Sequence, residues 1–252
     1  MIKLEICVFS VESAIAAQRA GADRVELCSC YTEGGLTPSA GTIRMVRKLL
    51  NIECHVMIRP RGGDFCYNDN ELEQMHHDIE HAKSCGVDGI VLGALQANGH
   101  VNIVRMRDFV QHASPLKVTF HRAFDLTVDP FRALDDIIFC GCCRILTSGQ
   151  KATAIEGLEN IKQLVSLSAG RIEIMAGSGV NPDNAQHFID AGVDALHFSA
   201  KTLIPSQMIY INTEVPIMQP SNMSDYELIA VDEEKISKMV KIIKHSNEQI
   251  IR

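Results

Sequence analysis

Apolar residues fall into short runs of four to six, rich in β-branched side chains, at 3–8, 24–28, 54–58, 89–92, 117–121, 144–147, 171–175 and 195–199. These eight runs predict strands. The stretches between them carry apolar residues at helical spacing, and three open on a capping residue followed by proline: Thr37-Pro38, Asp129-Pro130 and Asn181-Pro182. Strands and helices are therefore expected to alternate along the chain.

A weak repeat sharpens this expectation. Ala20-Gly21-Ala22-Asp23, Cys85-Gly86-Val87-Asp88, Cys140-Gly141-Cys142-Cys143 and Ala191-Gly192-Val193-Asp194 stand just before the second, fourth, sixth and eighth runs. Their glycines suit the left-handed residue that ends a helix. They lie 65, 55 and 51 residues apart, room for two strand-helix units each. The pattern predicts one (β/α)8 TIM barrel domain over 1–252. An open doubly wound sheet is the alternative, but it expects a glycine-rich fingerprint after the first strand, where Cys7-Val8-Phe9-Ser10 stands. Past Leu203 the rhythm stops. Residues 204–231, with Pro205, Pro216 and Pro220, read as a long arm that covers the barrel mouth or reaches a second subunit, and 232–247 as a final helix.

Strand alternation then selects the residues that face the barrel interior. Leu4 and Ile6 suit the helical layer, which turns Glu5 and Cys7 inward; Val25 and Leu27 do the same for Glu26 and Cys28. The third run sends in His55, Met57 and Arg59, the fifth Thr119 and His121, the eighth His197 and Ser199. Two accounts fit so much inward charge. Glu5, Glu26 and Arg59 form a buried structural ion network, or the charges persist because something binds them at the strand ends. Met175-Ala176-Gly177-Ser178-Gly179-Val180 and Ser199-Ala200-Lys201 follow the last two strands, where barrels of this kind often hold an anion. Gly177, Ser178, Gly179 and Ser199 are the candidate anion-binding residues, with Ser148 adding a hydroxyl.

Composition excludes some functions. The chain has 252 residues, 46% of them hydrophobic, enough for a large aliphatic core and too apolar for disorder. A net charge of −7 argues against a nucleic-acid partner or an acidic membrane surface, and no apolar run reaches spanning length. Nine scattered Cys and no signal-peptide pattern point to free thiols in a reducing cytosol. No two C-x-x-C motifs are paired along the chain, so a closed zinc cage is not expected. A soft ion such as Cu(I) needs fewer thiolates, and Cys7 with Cys28 on neighbouring strands is the best two-thiolate candidate. Glu5 and Glu26 are expected to raise the pKa values of both thiols.

Several runs resemble the copper homeostasis protein CutC family: Leu4-Glu5-Ile6-Cys7, Gly21 to Cys28, Glu33 to Ser39, Val56 to Phe65, Thr119-Phe120-His121-Arg122-Ala123-Phe124-Asp125, and Leu146-Thr147-Ser148-Gly149. The resemblance covers residues 2–203. It implies a cytosolic (β/α)8 barrel associated with copper tolerance, and it places proposed copper ligands at Cys7 and Cys28. Glu5, Glu26, Arg59, Arg61, His121, Arg122 and Asp125 also match its motifs.

Three functions follow as expectations. The first is cytoplasmic copper homeostasis, with Cu(I) bound at the mouth by Cys7 and Cys28. The second is an enzyme acting on a small anionic or phosphorylated metabolite. In it Glu5 or Glu26 is the base, His121 the acid, Arg59 and Arg122 the clamps, Asp125 a further motif carboxylate, and the Gly177–Gly179 turn the cradle. The third is a scaffold whose arm builds a homodimer.

Overall fold

Eight parallel strands close into a barrel in the computed structural model, which describes residues 1–212, 214–215 and 224–250. In chain order these are β1 (Lys3–Val8), α1 (Val11–Arg19), β2 (Arg24–Leu27), α2 (Ala40–Leu49), β3 (Glu53–Met57), α3 (Asp69–Ser84), β4 (Gly89–Leu92) and α4 (Ile103–Ala113). There follow β5 (Lys117–Phe120), α5 (Pro130–Cys140), β6 (Arg144–Thr147), α6 (Leu158–Ser168), β7 (Glu173–Ala176), α7 (Ala185–Asp190) and β8 (Ala195–Phe198). Each strand pairs with its successor, and β8 closes on β1 with Glu5 opposite His197. The expected (β/α)8 barrel is the observed fold, and no open sheet edge remains in it.

The helix-ending glycines 21, 86, 141 and 192 all have positive φ, between +72° and +97°, as the repeat implied. Of the three proline starts, only Asp129 caps its helix, accepting from Phe131 and Arg132 N–H. Ser39 caps α2 instead, and α7 starts after Asn184, so Pro38 and Pro182 belong to the preceding turns. The seventh strand begins at Glu173, two residues later than its apolar run suggests.

Outward side chains such as Leu4, Ile6, Val25, Leu27, Val56 and Ile90 are buried under the helices and form the main apolar core. The interior is different. Near its floor Arg144 donates to Glu173 (2.7 Å) and Thr119 (3.0 Å), and Arg24 lies 3.5 Å from Glu53. Leu146, Met175 and Ala195 pack as one apolar cluster, and Cys7, Cys28, Met57 and Val91 as another.

Beyond the barrel, β9 (Lys201–Pro205) and β10 (Glu227–Val231) form an antiparallel pair beside α1, and α8 (Glu233–Ile250) completes the helical jacket. Ile236, Met239 and Ile243 of α8 are buried in the core, and Asn247 ties down both backbone groups of Ile2. The expected arm at 204–231 thus begins inside β9 and ends inside β10; Pro216 and Pro220 lie outside the described residues. Among the described residues, no helix is long and apolar enough to cross a membrane.

Candidate functional site

The site is built by alternation and closure. Because β1 and β2 are adjacent and both turn odd-numbered or even-numbered polar residues inward, Cys7 Sγ and Cys28 Sγ come within 3.9 Å of each other. Glu26 lies below them, its Oε2 3.5 Å from Cys28 Sγ. Closure of β8 on β1 adds His197, whose Nδ1 sits 2.8 Å from Glu5 Oε1 and whose Nε2 sits 3.7 Å from Glu26 Oε2. Ligand atoms of Cys7, Glu26 and His197 all lie within 4.8 Å of one another. Arg24, buried beside Glu5, donates to its other oxygen. Gly35, at φ +97°, folds over this group; a Cβ there would sit 3.1 Å from Cys28 Sγ, so only glycine lets the loop lie on the thiol.

Electrostatics separates the two thiols. The hydrogen-bond contact with Cys28 is the largest influence on Cys7 and, helped by His197, it outweighs burial and lowers Cys7 to about 5. Cys28 is pushed up by that same contact, by burial and by Glu26. The sequence expectation that both thiols are raised is therefore corrected for Cys7, because the contact with Cys28, together with the imidazole that barrel closure supplies, outweighs burial. Burial disfavours charge on Glu5, yet Arg24 and His197 hold its carboxyl well below the ordinary range. Burial also raises Glu26, which Cys7 and Glu5 reinforce. Burial opposes charge on His197, but Glu26, Cys7 and Glu5 raise its pKa well above the usual value. A thiol lowered toward its anion, an imidazole favoured as its cation and a carboxyl pushed toward its neutral form share one small space.

Other expected site residues have different work. Arg59 makes no network with Glu5 and Glu26, since Arg24 is the buried partner of Glu5; its guanidinium donates to the carbonyls of Glu33, Gly35 and Gly63 and so pins two loops. His121 accepts from Ala123 N–H and packs on Phe65, and burial with nearby Arg59 lowers it to about 3, which leaves it neutral. A neutral imidazole of that kind is a poor general acid. Asp125 accepts from Thr147 Oγ1, Ser148 N and Oγ, Gln150 N and Arg122 Nε, and thereby locks the loop after β6. Ser148 is fully buried and its hydroxyl is shared with Asp125, Lys151 O and Arg122. Arg122, Ser178, Gly179 and Ser199 line a cavity of about 230 Å³ at the mouth, with Cys7 and His197 also in its wall. Gly177 donates its N–H to Thr147 O and lies outside that lining.

His55, like His121, is held neutral, lowered to about 3 by burial. On unfolding below pH 6.5 both take up a proton, so each makes folding stability fall with acid, as does the lowered Cys7, while the raised Glu26 and His197 act in the opposite direction. Each neutral histidine accounts for about 1 kcal/mol of stability lost between pH 7 and pH 5.5. In urea unfolding the difference in stability between the two pH values is therefore expected to shift by about that much in His121→Gln relative to the parent; an unchanged difference would contradict neutral burial.

Comparison with known proteins agrees with this architecture. The family model described as the CutC family matches residues 2–202. A CutC-family protein of Citrobacter koseri is 44% identical over 243 residues, 96% of this chain and 98% of its own length. One from Salmonella paratyphi B is 46% identical over the same shares. A CutC crystal structure from Streptococcus agalactiae, whose name ties it to copper homeostasis, is 37% identical with a TM-score of 0.76, covering 79% of this chain and 99% of that one. Thiamine phosphate pyrophosphorylase from Pyrococcus furiosus, 16% identical at a TM-score of 0.60 over 97% of this chain and 96% of its own, shares the fold.

Proposed function

The chain belongs to the CutC family, and from that premise we propose that it is a cytosolic copper homeostasis protein that binds Cu(I) at the barrel mouth through Cys7 and Cys28. The observation that carries this reading is the 3.9 Å separation of the two sulfurs. Two metal–sulfur bonds of about 2.3 Å to one ion span such a distance at an angle between tetrahedral and trigonal. The donor set is soft, as Cu(I) prefers. Cys7 is already disposed to be a thiolate, His197 would offer a nitrogen only on losing its proton, and the Met57 thioether packs in the same cluster. The bound cation would also lower Cys28 and stabilise charge that burial otherwise penalises.

Competition titration of the reduced protein against a Cu(I) chelator tests the reading. The expected result is one tightly held Cu(I) per chain, with about one proton released per ion near pH 7, because Cys28 is the thiol still protonated. Failure to compete with a chelator of micromolar strength would overturn it.

The chain is further read as a homodimer. The consecutive residues Met208, Ile209, Tyr210 and Ile211 are exposed between 55% and 99%, an unusual apolar run for a surface. Light scattering should give twice the mass of one chain, falling to one on substitution of Ile209 and Ile211 by Ser; a monomeric parent would refute pairing.

A further inference from the structure

The cavity at the mouth contains features that a Cu(I) site does not use. Ser178 is a non-glycine residue at φ +80°, followed by Gly179 at φ +74°. Such backbone persists only where its surroundings impose it. Here they do: Ser178 Oγ donates to Ala152 O (2.9 Å), and Ser178 O accepts from Ala154 N–H (2.9 Å). The loop after β6 thus holds the loop after β7 in a costly shape. Among the described residues, the N–H groups of Ser178, Gly179 and Val180 have no acceptor in the protein, and all three residues line the cavity. Successive free amides in a tight turn make an anion-binding concavity.

Arg122 lines the same cavity. Its Nε donates to Asp125 (2.8 Å) and its Nη2 to Ser148 (3.0 Å), while Nη1 has no acceptor among the described residues. The guanidinium is fixed on one edge and free on another, the arrangement in which arginine recognises an oxyanion with little loss of entropy. Ser199 adds an exposed hydroxyl. Across the cavity Phe9 and Tyr31 pack edge to face at 5.4 Å, and Lys201 Nζ lies 4.0 Å from the Tyr31 ring. The rim of this cavity thus carries free amides and the Arg122 guanidinium, with Lys201 close by over Tyr31. A soft cation needs none of it, and Arg122 would repel one.

We propose that the barrel mouth binds a small phosphorylated organic molecule, its phosphate seated between the Ser178–Val180 amides, Ser199 and Arg122, and its body against Phe9 and Tyr31. Cys7 stands in the wall of the same cavity, but none of the groups assigned to the phosphate is a thiol. The phosphate site stands whether or not Cu(I) is the ion that Cys7 and Cys28 hold.

The test uses phenyl phosphate and inorganic phosphate as probes on the full chain, by calorimetry and by amide chemical shifts. Phenyl phosphate is expected to bind at least ten times more tightly than inorganic phosphate and to shift the Gly179 and Val180 amides. Ser199→Glu, which adds a charge at an exposed position, should weaken phenyl phosphate at least tenfold while leaving the thermal midpoint and Cu(I) affinity unchanged; Arg122→Met should weaken it similarly. Absence of amide shifts at millimolar probe, or undiminished binding in Ser199→Glu, overturns the site. Equal affinities for the two probes overturn an esterified ligand.

Discussion

The Cys7→Ser, Cys28→Ser double variant is expected to lose Cu(I) affinity by on the order of a thousandfold or more in chelator competition. Loss of a supporting group around a metal typically costs 10–100-fold, and here both sulfur ligands are replaced by hydroxyls that a soft ion disfavours. The single variants should differ in character. Cys7→Ser removes the thiol lowered to about 5, the ligand already ionised near neutral pH. Cys28→Ser removes the thiol that must still release its proton, so proton release on binding should vanish along with affinity. Each buried hydroxyl costs about 1–3 kcal/mol unless bonded, so the thermal midpoint is measured alongside, with Cys→Ala at both positions as the control for misfolding. Affinity equal to that of the parent in both double variants would refute the thiol site.

Much of that site was legible because side-chain alternation is a property of every strand. Period two placed Glu5, Cys7, Glu26, Cys28, His55, Met57, Thr119, His121 and His197 on the inner face, and their burial or mutual contacts agree with that. What alternation cannot supply is the partner across the barrel. Glu5 faces Arg24 because register sets Glu5 opposite Arg24, whereas the sequence reading treated Arg24 as the edge of an apolar run and looked to Arg59 for the charge. The signal was present, since Arg24 shares the parity of Glu26 and Cys28. His197 reaches Glu5 across 192 residues, a contact that exists only when β8 closes on β1, so its effect on Cys7 was invisible to counting nearby carboxylates. Arg59 and Asp125 escaped for another reason. The partners of Arg59 are backbone carbonyls, which leave no trace in residue type, and Asp125 divides its own between the Ser148 and Gln150 amides and side chains of a loop that only the fold brings to it. The same blindness affected Pro38 and Pro182, whose turns resemble helix starts until the cap beyond them is seen.

Arg24→Met is expected to destabilise the fold by about 3–5 kcal/mol, because it leaves Glu5 as a fully buried carboxylate without its cation. Met roughly preserves the volume, so the cost reports charge more than cavity. His197 can offset only part of it, since that imidazole also faces Glu26 and Cys7. Adding Glu5→Gln should recover most of the loss, as removing both members of a buried pair is far cheaper than removing one. Urea unfolding of the two single variants and the double variant measures the coupling, and additive losses would show that the pair is not the element at stake. The same cycle reaches the chemistry of the mouth. With Glu5 neutralised, His197 loses a negative neighbour that raises its own pKa, and the Cys7 thiolate loses part of its imidazolium support. Alkylation of Cys7 across pH should therefore shift toward the ordinary thiol range in the refolded double variant, although Glu5 does not touch the sulfur. A profile unchanged from the parent would separate the buried ion pair from the thiol and leave Cys28 as the sole source of the low Cys7 pKa.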